Sequence, residues 1–195
     1  MISEENKKFL LNLVRKALEE HLEGKESDVE KIPTELMNKG ASFVTLKANN
    51  QQKGSIGTLF EHQELFLDAI ENVKATAFED PRFAPLTIED LKTTEIEISI
   101  IKNLKKLSYE SEFELLDQIN KGINGVIIKH GIRIGTLLPR EWEKVDNKVE
   151  FLQLICEKAN LDKDTWKNPS SEIYVYETET FTDNQAISRK AASSE

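Results

Sequence analysis

Two stretches decide the reading of this chain: GSIGTLF at Gly54–Phe60 and RIGTLLP at Arg133–Pro139. They share the core IGTL, and their surroundings repeat too. Ahead of the first, ASFVTLKA (Ala41–Ala48) alternates and is rich in β-branched and aromatic residues, as a strand requires, and NNQQKG reads as a hairpin turn. Ahead of the second, NGVIIK is strand-like and turns near His130-Gly131. A helical period then follows each copy. Leu65, Phe66, Ala69, Ile70, Val73 and Ala77 share one face in the first; Phe151, Leu152, Ile155 and Ala159 do so in the second. An alternating strand closes each half. EIEISII points Ile96, Ile98 and Ile100 inward and Glu95, Glu97 and Ser99 outward, and EIYVYETETF alternates through Ile173, Val175 and Glu177. This internal symmetry suggests duplication. It predicts an α+β fold with a largely antiparallel sheet, built from two packed hairpin-helix-strand halves at roughly 41–104 and 123–181. The second copy carries a longer insert, PREWEKVDNKVE, before its helix.

Capping signals place the other helices. Ser3 caps a first helix with Glu4 and Glu5 in its first turn and an apolar stripe from Phe9 to Leu22. Asp80-Pro81 stops the helix after the first hairpin, because proline removes an amide donor and restricts its predecessor. Thr87 and Asp90 form a weak relative of a capping box, and Ser111 with Glu114 a better one, opening a helix that ends at Gly122. A charged linker, Lys25–Lys31, and a loose polar tail at 182–195 complete the organisation.

Bulk properties exclude several classes. The 195 residues carry a net charge of −9, which argues against non-specific binding to a phosphate backbone. No apolar run approaches the roughly 20 residues of a membrane span, and acids precede the first apolar residues, unlike a signal peptide. A single cysteine, Cys156, suits a reducing cytoplasm. The histidines His21, His62 and His130 lie far apart without ligand spacing, so no metal and no cofactor are expected.

The order GSIGT, AFEDPRFAPLTIEDL, EIEISI, GINGVII, GTLLPREW, FLQLICEKANL, Trp166 and VYETETF resembles the AMMECR-type domain family over Phe9–Phe181. The family hallmark is Leu-Arg-Gly-Cys-Ile-Gly-Thr. Here it reads Gln52-Lys53-Gly54-Ser55-Ile56-Gly57-Thr58, so the arginine has become lysine and the cysteine serine. The family's Leu-Leu-Pro-Gln-Val is Leu137-Leu138-Pro139-Arg140-Glu141. The resemblance implies one two-lobed α+β domain over residues 1–181, with no established enzymatic activity. It also implies partnership with a radical-SAM protein and a Memo-like protein as one module of a modification system.

The candidate site gathers Lys53, Gly54, Ser55, Gly57 and Thr58 of the hairpin with Asp80, Arg82 and Phe83 after the helix. If the two segments meet, a cation, two hydroxyls, a carboxylate and a guanidinium surround backbone amides that a glycine leaves open to an anion. The competing reading is that Asp80 and Arg82 merely tie down a loop while Phe83 plugs the core. Ser55 can replace the family thiol as a nucleophile only with an adjacent base. Two functions therefore stand: a component binding a small polar or anionic ligand, or a non-catalytic interaction module.

Overall fold

The computed structural model describes residues 2–25, 31–49 and 51–183; most of the charged linker, Asn50 of the hairpin turn and the tail from residue 184 lie outside them. In chain order the elements are α1 (Glu4–Leu22), β1 (Lys39–Gly40), β2 (Ser42–Ala48), β3 (Gln51–Gly57), β4 (Gln63–Glu64), α2 (Leu65–Phe78), α3 (Ile88–Leu91) and β5 (Glu95–Lys106). There follow α4 (Glu112–Gln118), β6 (Gly125–His130), β7 (Arg133–Leu137), α5 (Lys148–Lys158) and β8 (Glu172–Thr182). They fall into two compact units: the chain to Ile100 together with the chain from Glu179, and Ile101–Thr178.

In the first unit β2 pairs antiparallel with both β3 and β5, and the short β1 pairs with β4. Helix α2 packs on the β2–β3 hairpin and α1 packs on α2. The Ser3 hydroxyl accepts from the Asn6 amide at 3.2 Å, which fixes the start of α1. Leu10, Val14 and Leu18 of α1 then join Val44, Leu46, Val73, Ile96, Ile98 and Ile100 in one apolar cluster. Buried Arg15 ties α1 to the 91–94 turn and to Asp183. It donates to Asp183 Oδ2 at 2.6 Å, to the Leu91 carbonyl at 3.2 Å and to the Thr94 carbonyl at 2.7 Å. Asp183 Oδ1 in turn accepts from the Ile96 amide at 2.8 Å.

In the second unit β6 pairs antiparallel with β7 and β8, and α5 packs on β6 and β7. The second apolar cluster includes Val126, Ile128, Leu137, Phe151, Leu152, Ile155 and Ile173. The insert before α5 is ordered: Pro139–Lys144 form a 3-10 turn that buries Trp142. The Trp142 ring stacks on Phe151 at 3.6 Å and its Nε1 donates to the Asn124 carbonyl at 2.6 Å.

Three local expectations change. Helix α4 stops at Gln118 instead of reaching Gly122, because Ile119 adopts an extended conformation. Thr87 and Asp90 form a complete reciprocal capping box. Glu97 and Ser99 do alternate with the core isoleucines of β5, yet both are buried, so the second face of that strand is not solvent-facing. Among the described residues no helix is long and apolar enough to cross a membrane.

Candidate functional site

Strict alternation along β3 would put Lys53 and Ser55 on the same face of the sheet. The pairing breaks that rule. Leu46 faces Gly54 but Lys47 faces Gln52, so Lys53 is the extra residue of a β-bulge. A bulge re-aims the side chain it carries. Lys53 accordingly lines a cavity of about 210 Å³ together with Leu46, Ala77, Phe83 and Leu86. Lys53 is exposed and makes no hydrogen bond or ion pair among the described residues. Asp90, on the same cavity, bonds the Thr87 amide at 3.1 Å and the Thr87 hydroxyl at 2.6 Å. Those bonds chiefly, and the Lys53 charge to a smaller degree, hold its carboxyl below the ordinary value.

Ser55 has a different environment. Its hydroxyl lies 2.9 Å from Thr45 Oγ1, its cross-strand neighbour, and that hydroxyl is its side-chain hydrogen-bond partner. Among the described residues neither a histidine nor a carboxylate bonds it, so the base that a serine nucleophile requires is not in contact there. Its backbone is clamped instead. The Ser55 amide donates to Asp80 Oδ2 at 2.9 Å, and Arg82 Nη2 donates to the Ser55 carbonyl at 3.1 Å. Asp80 and Arg82 also bond each other, through Nε at 2.9 Å and Nη2 at 2.6 Å. The guanidinium, then the Ser55 and Arg82 amides, pull the Asp80 carboxyl down to about 2 against the opposing effect of burial. A carboxylate so acidic does not donate a proton near neutrality. Asp80 and Arg82 are thus committed to each other and to the Ser55 backbone.

Beneath the hairpin, α2 supplies a polar row that the apolar stripe concealed. Asp68, Asn72 and Thr76 are all buried and spaced four apart, on one line of the helix. Asp68 accepts from Ser42 Oγ at 2.7 Å, from Asn72 Nδ2 at 2.9 Å and from the Thr58 hydroxyl. Burial pushes its carboxyl above the ordinary value, while the Ser42 and Thr58 bonds oppose the rise. Asn72 Nδ2 also reaches the Ser42 carbonyl at 3.0 Å. Thr76 Oγ1 accepts from the Ile56 amide at 3.1 Å. Gly54 is what lets the strand lie this close: a Cβ there would sit 2.6 Å from the Thr76 carbonyl oxygen.

The eight candidates thus separate. Lys53 and Phe83 share the cavity; Ser55, Asp80 and Arg82 form a clip; Thr58 belongs to the Asp68 cluster; Gly54 and Gly57 are close-approach positions, the latter against Phe43 and the Ser42 carbonyl. Sequence reasoning missed Thr45, Lys47 and Glu97 as well as the α2 row. Glu97 lies opposite Thr45 in register, and its carboxylate holds Lys47 Nζ at 2.5 Å. The four-residue spacing of Asp68, Asn72 and Thr76 was the available signal for the row.

The remaining reactive groups lead elsewhere. His130 Nδ1 lies 3.0 Å from Ser171 Oγ, but that hydroxyl donates to the Thr165 carbonyl at 2.7 Å, so the histidine is not placed to take its proton. Cys156 is buried, and burial raises its thiol. Among the described residues no group of three or more His, Cys, Asp or Glu is arranged to hold a metal.

The model of the AMMECR1 family matches residues 11–181, and the chain belongs to that family. Protein NEQ441 of Nanoarchaeum equitans is 35% identical over 178 residues, covering 90% of this chain and 99% of that protein. Protein MK0488 of Methanopyrus kandleri is also 35% identical, covering 93% of this chain and 90% of its own. A crystal structure of the uncharacterized protein PH0010 from Pyrococcus horikoshii superimposes with a TM-score of 0.87 at 31% identity, covering 94% of each chain.

Proposed function

We propose that this AMMECR1-family protein binds a small anionic ligand at Lys53, as a binding component of a modification system rather than as a stand-alone catalyst. One observation carries the reading: the bulge sets Lys53 beside a cavity, uncommitted to any hydrogen bond or ion pair among the described residues. The neighbouring charges are engaged otherwise, Asp80 with Arg82 and Asp90 with Thr87. The Ser55 hydroxyl, bonded to Thr45, supports a binding role over covalent catalysis. The radical-SAM and Memo-like partners implied by the family pattern would supply the chemistry in such a system. A thermal-shift screen of metabolite anions on the wild type and Lys53→Met tests the reading. Stabilisation that disappears in the variant supports it; stabilisation that survives unchanged removes its basis.

A second reading, an interaction module, has its own observation. Ile132 is fully exposed at the tip of the β6–β7 hairpin, Ile134 is 40% exposed, and β7 is an edge strand. Exposed apolar side chains at a strand edge invite a partner chain. Co-elution with a Memo-like or radical-SAM protein on size exclusion, lost in Ile132→Asp, would favour it. Co-elution that is absent, or indifferent to Ile132, would count against it.

A further inference from the structure

The geometry points to a specific ligand class for the Lys53 cavity: a small monocarboxylate with a compact apolar body of about the size of one aromatic ring. The inference rests on the reading of Lys53 as a ligand cation and adds what that ligand must be. The body follows from the walls. Leu46, Ala77, Phe83, Pro85 and Leu86 line the space, and such walls reward apolar surface taken from water. The size follows from the volume. An apolar cavity of about 150 Å³ is enough for a benzene molecule; about 210 Å³ leaves room for a ring and one small polar group.

The single charge follows from the cations. Among the described residues, Lys53 is the one cationic side chain lining the cavity, and Asp90 is the one anionic side chain there. Asp90 already has the Thr87 amide and hydroxyl as donors, so its charge is partly satisfied without Lys53. A carboxylate that reaches Lys53 therefore gains an ammonium partner. A phosphate dianion would bring a second charge beside apolar walls and Asp90 with no second cation to meet it, which is costly. Lysine in place of the arginine of the family pattern fits this choice: an ammonium is a compact point charge, whereas a guanidinium presents the planar fork suited to bidentate phosphate recognition. The remaining polar wall, Thr94, spends its hydroxyl on the Asp90 carbonyl at 2.8 Å.

The loop that roofs the space is fixed at both ends. The Phe83 amide donates to the Asp80 carbonyl at 3.1 Å and the Leu86 amide to the Ala77 carbonyl at 2.8 Å. The cavity is thus preformed, which lowers the ordering cost of binding a small molecule.

The test is a titration of the full-length protein, followed by amide resonances, with benzoate, its neutral analogue benzyl alcohol, and inorganic phosphate as probes. Benzoate is expected to shift the amides of Ala48, Ala77 and Ala84 saturably, at least tenfold more tightly than benzyl alcohol. Lys53→Met should weaken benzoate about tenfold and leave benzyl alcohol unchanged. Ala77→Leu, which adds bulk to the wall, should abolish both, with retained dispersion of the Val14 and Ile98 amides of the same unit showing that it still folds. Phosphate shifting Lys53 while benzoate does not would overturn the ligand class and leave the anion site standing. Benzoate binding that ignores Lys53→Met, or no response to either anion, would overturn the class and the anion site together.

Discussion

The two units use the same hairpin-helix frame and fasten it in opposite ways. Under the second hairpin, α5 presents Phe151, Leu152, Ile155 and Cys156, and the contact is mainly apolar, with one long bond from Lys158 Nζ to the Thr136 carbonyl at 3.4 Å. Under the first, α2 interleaves its apolar residues with Asp68, Asn72 and Thr76, and these reach the hairpin by directed bonds to Ser42, Thr58, Val44 and Ile56. The glycines reveal the offset. Gly135 lies against the Ile155 carbonyl of α5, where a Cβ would come within 2.7 Å, and its counterpart against α2 is Gly54, at 2.6 Å from the Thr76 carbonyl. Gly57, the residue that the shared IGTL would pair with Gly135, instead abuts Phe43 and the Ser42 carbonyl. Close apolar packing fills the contact, whereas directed bonds fix its orientation as well. The polar fastening therefore holds the GSIGT hairpin rigid around its bulge, and leaves Lys53 as the part not consumed by structure.

The sharpest break of this contrast is Phe151→Ala. It should cost about 3–5 kcal/mol from lost packing against Trp142 and the cavity left behind, with little change between pH 3 and pH 7 in urea unfolding. Asp68→Ala should cost less, about 1–3 kcal/mol, by stranding the donors of Ser42, Thr58 and Asn72. Its cost depends on pH. Because burial raises the folded-state value of Asp68 above 3.8, its favourable contribution is fullest below 3.8 and declines as pH rises through the raised value. The cost of Asp68→Ala should therefore be largest in acid.

Asp80→Asn should show the reverse ordering. With a folded value of about 2 against 3.8, Asp80 stabilises fully above 3.8 and loses that contribution as pH falls towards 2. Its substitution should cost roughly 1–2 kcal/mol at pH 6, discounted because Arg82 is half exposed to screening solvent. The difference from wild type should vanish near pH 2. Matched urea titrations at pH 2, 4 and 6 check both slopes, and parallel slopes for the two variants would erase the distinction. Smallest of all, Lys53→Met should change stability by less than about 0.5 kcal/mol, since its ammonium has no partner among the described residues.

Much of the frame was legible because it rests on local rules. Ser3, Asp80-Pro81 and the paired hairpin-helix-strand patterns announced α1, the end of α2 and the strands near their observed bounds. The site was legible as a set of residues but not as a geometry. A β-bulge depends on the pairing of Lys47 with Gln52, which no local propensity encodes, so Lys53 and Ser55 read as neighbours when the fold parts them. The Asp68, Asn72 and Thr76 row stayed hidden for a related reason. Hydrophobic periodicity finds the apolar face of a helix and counts polar residues as exposed, although buried polar groups are acceptable when each is bonded.

The division of labour on one short hairpin, with Asp80 holding structure and Lys53 holding ligand, is tested most directly by melting wild type, Lys53→Met and Asp80→Asn side by side with and without benzoate. The account predicts a benzoate-induced rise in wild type and in Asp80→Asn, a rise in Lys53→Met that needs about tenfold more benzoate, and a ligand-free melting temperature lowered only in Asp80→Asn, by about 2–8 °C. A Lys53→Met protein that melts several degrees low yet responds to benzoate at the same concentrations as wild type would contradict it.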